Sequence, residues 1–147
     1  MPLVPPYRQT LTHYVASWRA QGWMGDAQVS AMQAVWKFDA AAAYRSWVRS
    51  MLDNQAVNFE TDEKLFGAVN SIIPPGDWPI KTADASWGVA IGEVPYQQLK
   101  HYGDESLIRE AYPGMRAYWQ FLVNQTNHSV GLMTDQAQWG DWDAAFE

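Results

Sequence analysis

Apolar side chains recur at helical spacing through most of the chain, and turn-forming residues divide the pattern into successive helical stretches. The first runs from Asp26 to about Phe38, with Val29, Met32 and Trp36 on its expected inner face. Asp26 suits the N-cap or the first turn, where unsatisfied N–H groups and the helix dipole favour an acid. Asp39 is suited to cap a second helix, in which Tyr44, Trp47, Val48, Met51 and Leu52 keep the i, i+3, i+4, i+7 rhythm and which should end near Gln55. So tight a connection predicts an antiparallel helical hairpin. A long connection then spans residues 56–85, with Ala68-Val69 and Ile72-Ile73 predicting that it is ordered and packed. A third helix is expected from about Ser86 to His101, opened by Trp87-Gly88 and kinked at Pro95. Gly103 has the position of a helix-ending glycine and Asp104 that of the next N-cap. The fourth stretch is expected in two parts, Asp104 to Ala111 and Gly114 to Gln125, divided at Tyr112-Pro113, with Met115, Tyr118, Trp119 and Leu122 inward. At the other end, Pro2, Pro5 and Pro6 forbid a helix at the very start, and Leu11, Tyr14, Val15 and Trp18 allow a short one afterwards. The class predicted is all-α, built of antiparallel helical hairpins.

Composition narrows the function more than the fold. A chain of 147 residues, 48% hydrophobic and 18% charged, buries a real core. The net charge of −6 argues against nucleic acid as a partner, and no basic cluster is present for anionic lipid. No apolar run is long enough to cross a membrane. The segment Met1-Pro2-Leu3-Val4-Pro5-Pro6 lacks the basic and apolar regions of a signal peptide, so a cytoplasmic location is the default expectation. The absence of cysteine excludes disulfides and thiolate chemistry. His13, His101 and His128 have no metal-ligand spacing, and neither a phosphate loop, a dinucleotide fingerprint nor a nucleophile elbow is present. No metal or other cofactor is expected.

The chemistry that stands out is aromatic. Nine tryptophans and seven tyrosines suit either a large aromatic core or a carbohydrate site, since a pyranose has an apolar C–H face and polar hydroxyl edges. Gln21-Gly22-Trp23-Met24-Gly25-Asp26-Ala27-Gln28 sets a broad indole beside a carboxylate, with glycines allowing an irregular backbone. Trp23 is read either as a stacking platform or as core, and Asp26 either as a hydroxyl acceptor or as a helix-start acid. Trp78, among Pro74, Pro75 and Pro79, suits a surface wall. Trp139 and Trp142 flank Asp141 and suit a second wall, or else a folded tail. Trp18, Trp36, Trp47 and Trp119 sit at core spacing, Trp87 reads as core, and Glu93 as a solvated or helix-paired acid.

Gly22-Trp23-Met24-Gly25-Asp26-Ala27-Gln28 resembles the second half of the active-site signature of bacterial and plant-type α-L-rhamnosidases of the six-hairpin glycosidase class, which runs Asp-Cys-Pro-x-x-Glu-Arg-x-Gly-Trp-x-Gly-Asp-Ala-Gln. Further pieces resemble the family in order: Ala68 to Pro74, loosely; Trp87-Gly88-Val89-Ala90, where the family has Trp-Gly-Asp-Ala; Tyr102-Gly103-Asp104; Tyr112-Pro113-Gly114-Met115; and Gly140-Asp141-Trp142. Residues 1–21 are unlike it, and residues 22–147 read as part of a six-hairpin domain. The resemblance implies part of an (α/α)6 barrel, about two hairpins of six, with one apolar face left open and self-association to follow.

It also implies inverting hydrolysis of terminal α-L-rhamnosides, in which one glutamic acid protonates the leaving oxygen and a second carboxylate activates water. The acid would stand at position 19, which holds Arg19, and the base would lie beyond residue 147. The expectation is therefore a rhamnosidase fragment without turnover as an isolated chain, holding a rhamnose-containing glycoside or oligosaccharide on Trp23, Asp26, Trp78, Trp139, Asp141 and Trp142. Two alternatives are a non-catalytic carbohydrate-binding or interaction module derived from that fold, and a six-hairpin glycosidase acting on another sugar.

Overall fold

A computed structural model describes residues 22–61, 63–75, 83–127 and 129–133. Helix α1 spans Met24–Lys37 and α2 spans Ala41–Thr61, followed by a 3-10 turn at Glu63–Leu65. Helix α3, Ala85–Gly88, leads into α4, Ala90–Tyr102, and α5 spans Glu105–Gln125. A two-residue antiparallel ladder follows, β1 (Thr126–Asn127) on β2 (Leu132–Met133). Helix α4 is the centre of the assembly: α1, α2 and α5 all pack on it. The core lies where they meet, around Val48, Met51, Ile91, Val94, Leu107, Ala111 and Phe121.

Local signals account for most boundaries. Gly103 adopts a left-handed conformation at φ 66° and its N–H donates to the Leu99 carbonyl, closing α4 as a glycine without a Cβ can. The Asp104 side chain accepts from Leu107 N and starts α5. In α2, Tyr44, Val48 and Met51 are buried with Trp47 and Leu52 half-buried, matching the expected stripe, although the helix continues past Gln55 to Thr61. It gains that length because polar side chains on its last turns clamp the following loop. Gln55 donates to the carbonyls of Gly67 and Gly114, and Asn58 to that of Ala68. The loop is ordered as expected, with Ala68, Val69, Ile72 and Ile73 buried.

Other expectations fail for tertiary reasons. Val29 and Trp36 are each 74% exposed and Met32 is also exposed; the inner face of α1 is Met24, Ala27, Ala31 and Val35. Small side chains there let α1 approach α4 closely, which a face of valine, methionine and tryptophan would prevent. Trp119 is 66% exposed rather than inward. Helix α5 is continuous through Pro113 instead of splitting. The proline removes one backbone bond, and the buried Leu107 and Ala111 before it and Gly114, Tyr118 and Phe121 after it hold both halves in line. Between α3 and α4 the break falls at Val89, still right-handed at φ −60° and ψ −14°, and α4 runs on past the buried Pro95. Trp18 lies outside the described residues.

Candidate functional site

The site is built where the start of α1 meets the loop at residues 71–74 and the turn at Asp84–Trp87. Gly22 and Met24 donate to the carbonyls of Pro74 and Ser71, and Ile73 donates back to Gly22. Trp23 and Ile72 form an isolated antiparallel bridge within this stitching. Neither glycine of the motif has a positive φ; each is required for space instead. A Cβ on Gly22 would stand 1.8 Å from the Ile73 carbonyl oxygen. A Cβ on Gly25 would stand 2.5 Å from the Trp87 indole. The two glycines therefore let a loop and a tryptophan close on either side of Trp23.

Helix α1 starts before Asp26. Its N-cap is Trp23, without a side-chain cap bond, and Asp26 is the acid of the first turn, exposed to solvent. Among the described residues its carboxylate has no hydrogen-bond or salt-bridge partner. A carboxylate so placed is favoured by the helix dipole and free to accept hydroxyl protons. Trp23 is half-buried and meets Trp87 edge to face, with ring centroids 5.7 Å apart and planes at 73°. Trp47 is tied to the same corner, its indole N–H donating to the Ile73 carbonyl at 2.7 Å.

The turn that carries Trp87 is held from below. Asp84, 1% exposed, accepts from Ser86 N at 2.8 Å, Trp87 N at 3.2 Å and Ser86 Oγ at 2.5 Å. Tyr118 donates its hydroxyl to the Ala85 carbonyl. Burial, and then the Asp84 charge, raise the Tyr118 phenol far above its ordinary range, so it stays a donor. From α1, Gln28 Nε2 donates to the Ser86 carbonyl at 2.8 Å. Gln28 was read in the sequence only as the end of the signature and Asp84 was not singled out, although Asp84-Ala85-Ser86-Trp87 has the form of a capped helix start.

Below Asp26, an open groove of about 350 Å³ runs between α1 and α4, lined by Gln28, Val29, Met32, Val89, Glu93 and Gln97. Glu93 accepts from Gln97 Nε2 at 2.7 Å, the helix-paired reading of that acid. Trp23 and Asp26 are both described, three residues apart at the start of α1. Arg19, Trp78, Trp139, Asp141 and Trp142 lie outside the described residues.

Residues 19–146 match the family described as the bacterial alpha-L-rhamnosidase 6 hairpin glycosidase domain. The chain belongs to this family. An α-L-rhamnosidase of Formosa agariphila is 30% identical over 125 residues, covering 82% of this chain and 12% of that protein. One of Streptomyces avermitilis is 29% identical over 121 residues, covering 82% and 11%. The solved α-L-rhamnosidase from Dictyoglumus thermophilum superposes with a TM-score of 0.62 at 33% identity, over 71% of this chain and 11% of that one. The chain therefore spans about an eighth of the length of the rhamnosidases it matches. The described helices fit the all-α hairpin architecture of a six-hairpin glycosidase domain.

Proposed function

We propose that this chain is the part of an α-L-rhamnosidase-type glycoside hydrolase that helps hold the terminal rhamnose, with Trp23 stacking on the ring and Asp26 accepting from its hydroxyls. The observation that carries this reading is an exposed first-turn carboxylate, without a partner among the described residues, three positions from a half-buried indole in a member of the rhamnosidase family. Trp78, Trp139, Asp141 and Trp142 are proposed as further walls of the same cleft. Hydrolysis by inversion needs two carboxyl groups. The position that resemblance gives to the acid holds Arg19, whose guanidinium donates no proton to a leaving group near neutrality. The chain alone is therefore expected to bind rhamnosides without turning them over. Its open apolar face, with Val29, Met32, Trp36, Val89 and Tyr96 exposed, supports association with further helices or with a second copy.

The test is a calorimetric titration with L-rhamnose and, in parallel, with glucose and galactose, together with an assay on an aryl α-L-rhamnoside. Saturable binding confined to rhamnose is expected, with Asp26→Ala weakening it roughly ten- to hundredfold, the span of a hydrogen bond to a charged group. Equal affinity for all three sugars, or no binding, overturns the reading. Arg19 equally favours a non-catalytic sugar-binding module. Solution behaviour distinguishes the two: a module should be a stable monomer or defined oligomer, whereas a piece of an enzyme should aggregate or fold only with the helices that complete its barrel.

A further inference from the structure

We propose that Trp87 is a positioning residue for the sugar platform: without touching the ligand, it sets the plane of Trp23 and the path of the chain through Gly25 to Asp26. This rests on the reading of Trp23 and Asp26 as the rhamnose contacts. Sequence spacing made Trp87 a core residue, and at 8% exposure it is buried in the main cluster. Its surroundings show a second role. One edge of the pair meets Trp23 at 5.7 Å and 73°. The indole also lies so close to Gly25 that a Cβ there would come within 2.8 Å of three of its ring atoms. Gly25 immediately precedes Asp26, so one side chain bears on both proposed contacts.

A positioning device must itself be fixed, and Trp87 is. Asp84 caps its turn through both Ser86 N and Trp87 N. Ser71 ties that cap to α1: its hydroxyl accepts from Asp84 N at 3.3 Å, and its carbonyl accepts from Met24 N at 2.9 Å. Gln28 makes the third tie, to the Ser86 carbonyl. Next to it Gly88 leaves room for Tyr118, whose hydroxyl oxygen a Cβ would meet at 2.5 Å and whose ring at 2.7 Å. A core filler needs volume alone, whereas this arrangement clamps the turn to the helix start from three sides.

The consequence is a platform ordered before the sugar arrives. An aromatic that must be ordered on binding costs an amount equivalent to about a two- to tenfold loss of affinity. The edge-to-face pair removes that cost for Trp23.

The experiment compares Trp87→Leu, which keeps apolar volume without a ring, and Trp87→Phe, which restores a ring, by rhamnose titration and circular dichroism. Trp87→Leu is expected to weaken rhamnose binding about five- to tenfold while melting stays cooperative, and Trp87→Phe to recover part of the loss. The exciton signal of the coupled indoles should vanish alike in Trp23→Phe, in Trp87→Phe and in the double variant. If Trp87→Leu fails to fold, Trp87→Phe and Gln28→Ala carry the test, each expected to weaken binding at least twofold. Rhamnose bound at wild-type affinity by these variants overturns the positioning role and leaves the platform reading intact. A wild-type chain that binds no rhamnose overturns the platform reading itself, and the positioning role with it.

Discussion

At the scale of single residues, the glycines of Gly22-Trp23-Met24-Gly25 show how a motif is visible before its reason is. Their presence was plain in the sequence and suggested an unusual backbone. The structure gives both ordinary φ values and assigns each to a close approach across the fold. Gly22→Ala should therefore cost on the order of 3 kcal/mol, because a backbone carbonyl cannot move aside as a flexible side chain can. Urea denaturation with an unchanged slope and a lowered midpoint is the expected result. Tyr44 makes a second prediction. Burial, and then the neighbouring Tyr102, push its phenol up to about 12 from an ordinary value of 10.0. A folded-state value above the unfolded one gives stability that is complete below about pH 10 and lost as the pH climbs towards 12. Tyr44→Phe removes the ionisable hydroxyl, so its alkaline unfolding, followed by far-ultraviolet dichroism, should move to higher pH.

At the scale of elements, capping residues were readable because their chemistry is local. Asp104 was expected to start a helix, and it accepts from Leu107 N and from Ser106 Oγ, with Arg45 bonded to it. The Ser106 bond first, with the Leu107 N–H and Arg45 adding to it, holds its carboxyl below the ordinary range. Its contribution is thus present above the unfolded value near 3.8 and lost as the pH falls below it. Asp104→Ala should cost about 1 kcal/mol at pH 7 and progressively less in acid, measured by thermal melts across pH 2–7. Gln55 was less legible. It sits at the expected end of its helix, yet its side chain donates to the carbonyls of Gly67 and Gly114. Gln55→Ala strands the Gly67 carbonyl and removes a second donor from that of Gly114, and should cost roughly 1–3 kcal/mol. Amide exchange in residues 67–70 should rise before that of α2, because the side chain pins the loop to the helix.

At the scale of the whole molecule, the open face of α1 and α4 is the dominant feature. Trp36 lies over His101 with ring centroids 5.1 Å apart and remains mostly exposed, as does Val29. Substituting both with serine should change stability by no more than about 0.5 kcal/mol each. The same change should reduce self-association in analytical ultracentrifugation. A large loss of stability in the monomer would show that this face is already packed. The groove beside it is bordered by Gln97, whose buried Oε1 has no partner among the described residues.

By itself the sequence determined the helical class, the stripe of α2, the Gly103-Asp104 junction and the family signature. Each depends on interactions within a few residues, or on a motif whose order survives in the chain. Only the tertiary structure decided which stripe of α1 turns inward, since Val29-Met32-Trp36 and Ala27-Ala31-Val35 both have helical spacing. Packing density against α4 chose the smaller side chains. It also kept α5 whole through Pro113, where burial on both sides outweighed one missing hydrogen bond. And it set Trp87 against Trp23, because a contact between residues so far apart in the chain arises from how helices stack and leaves no local trace.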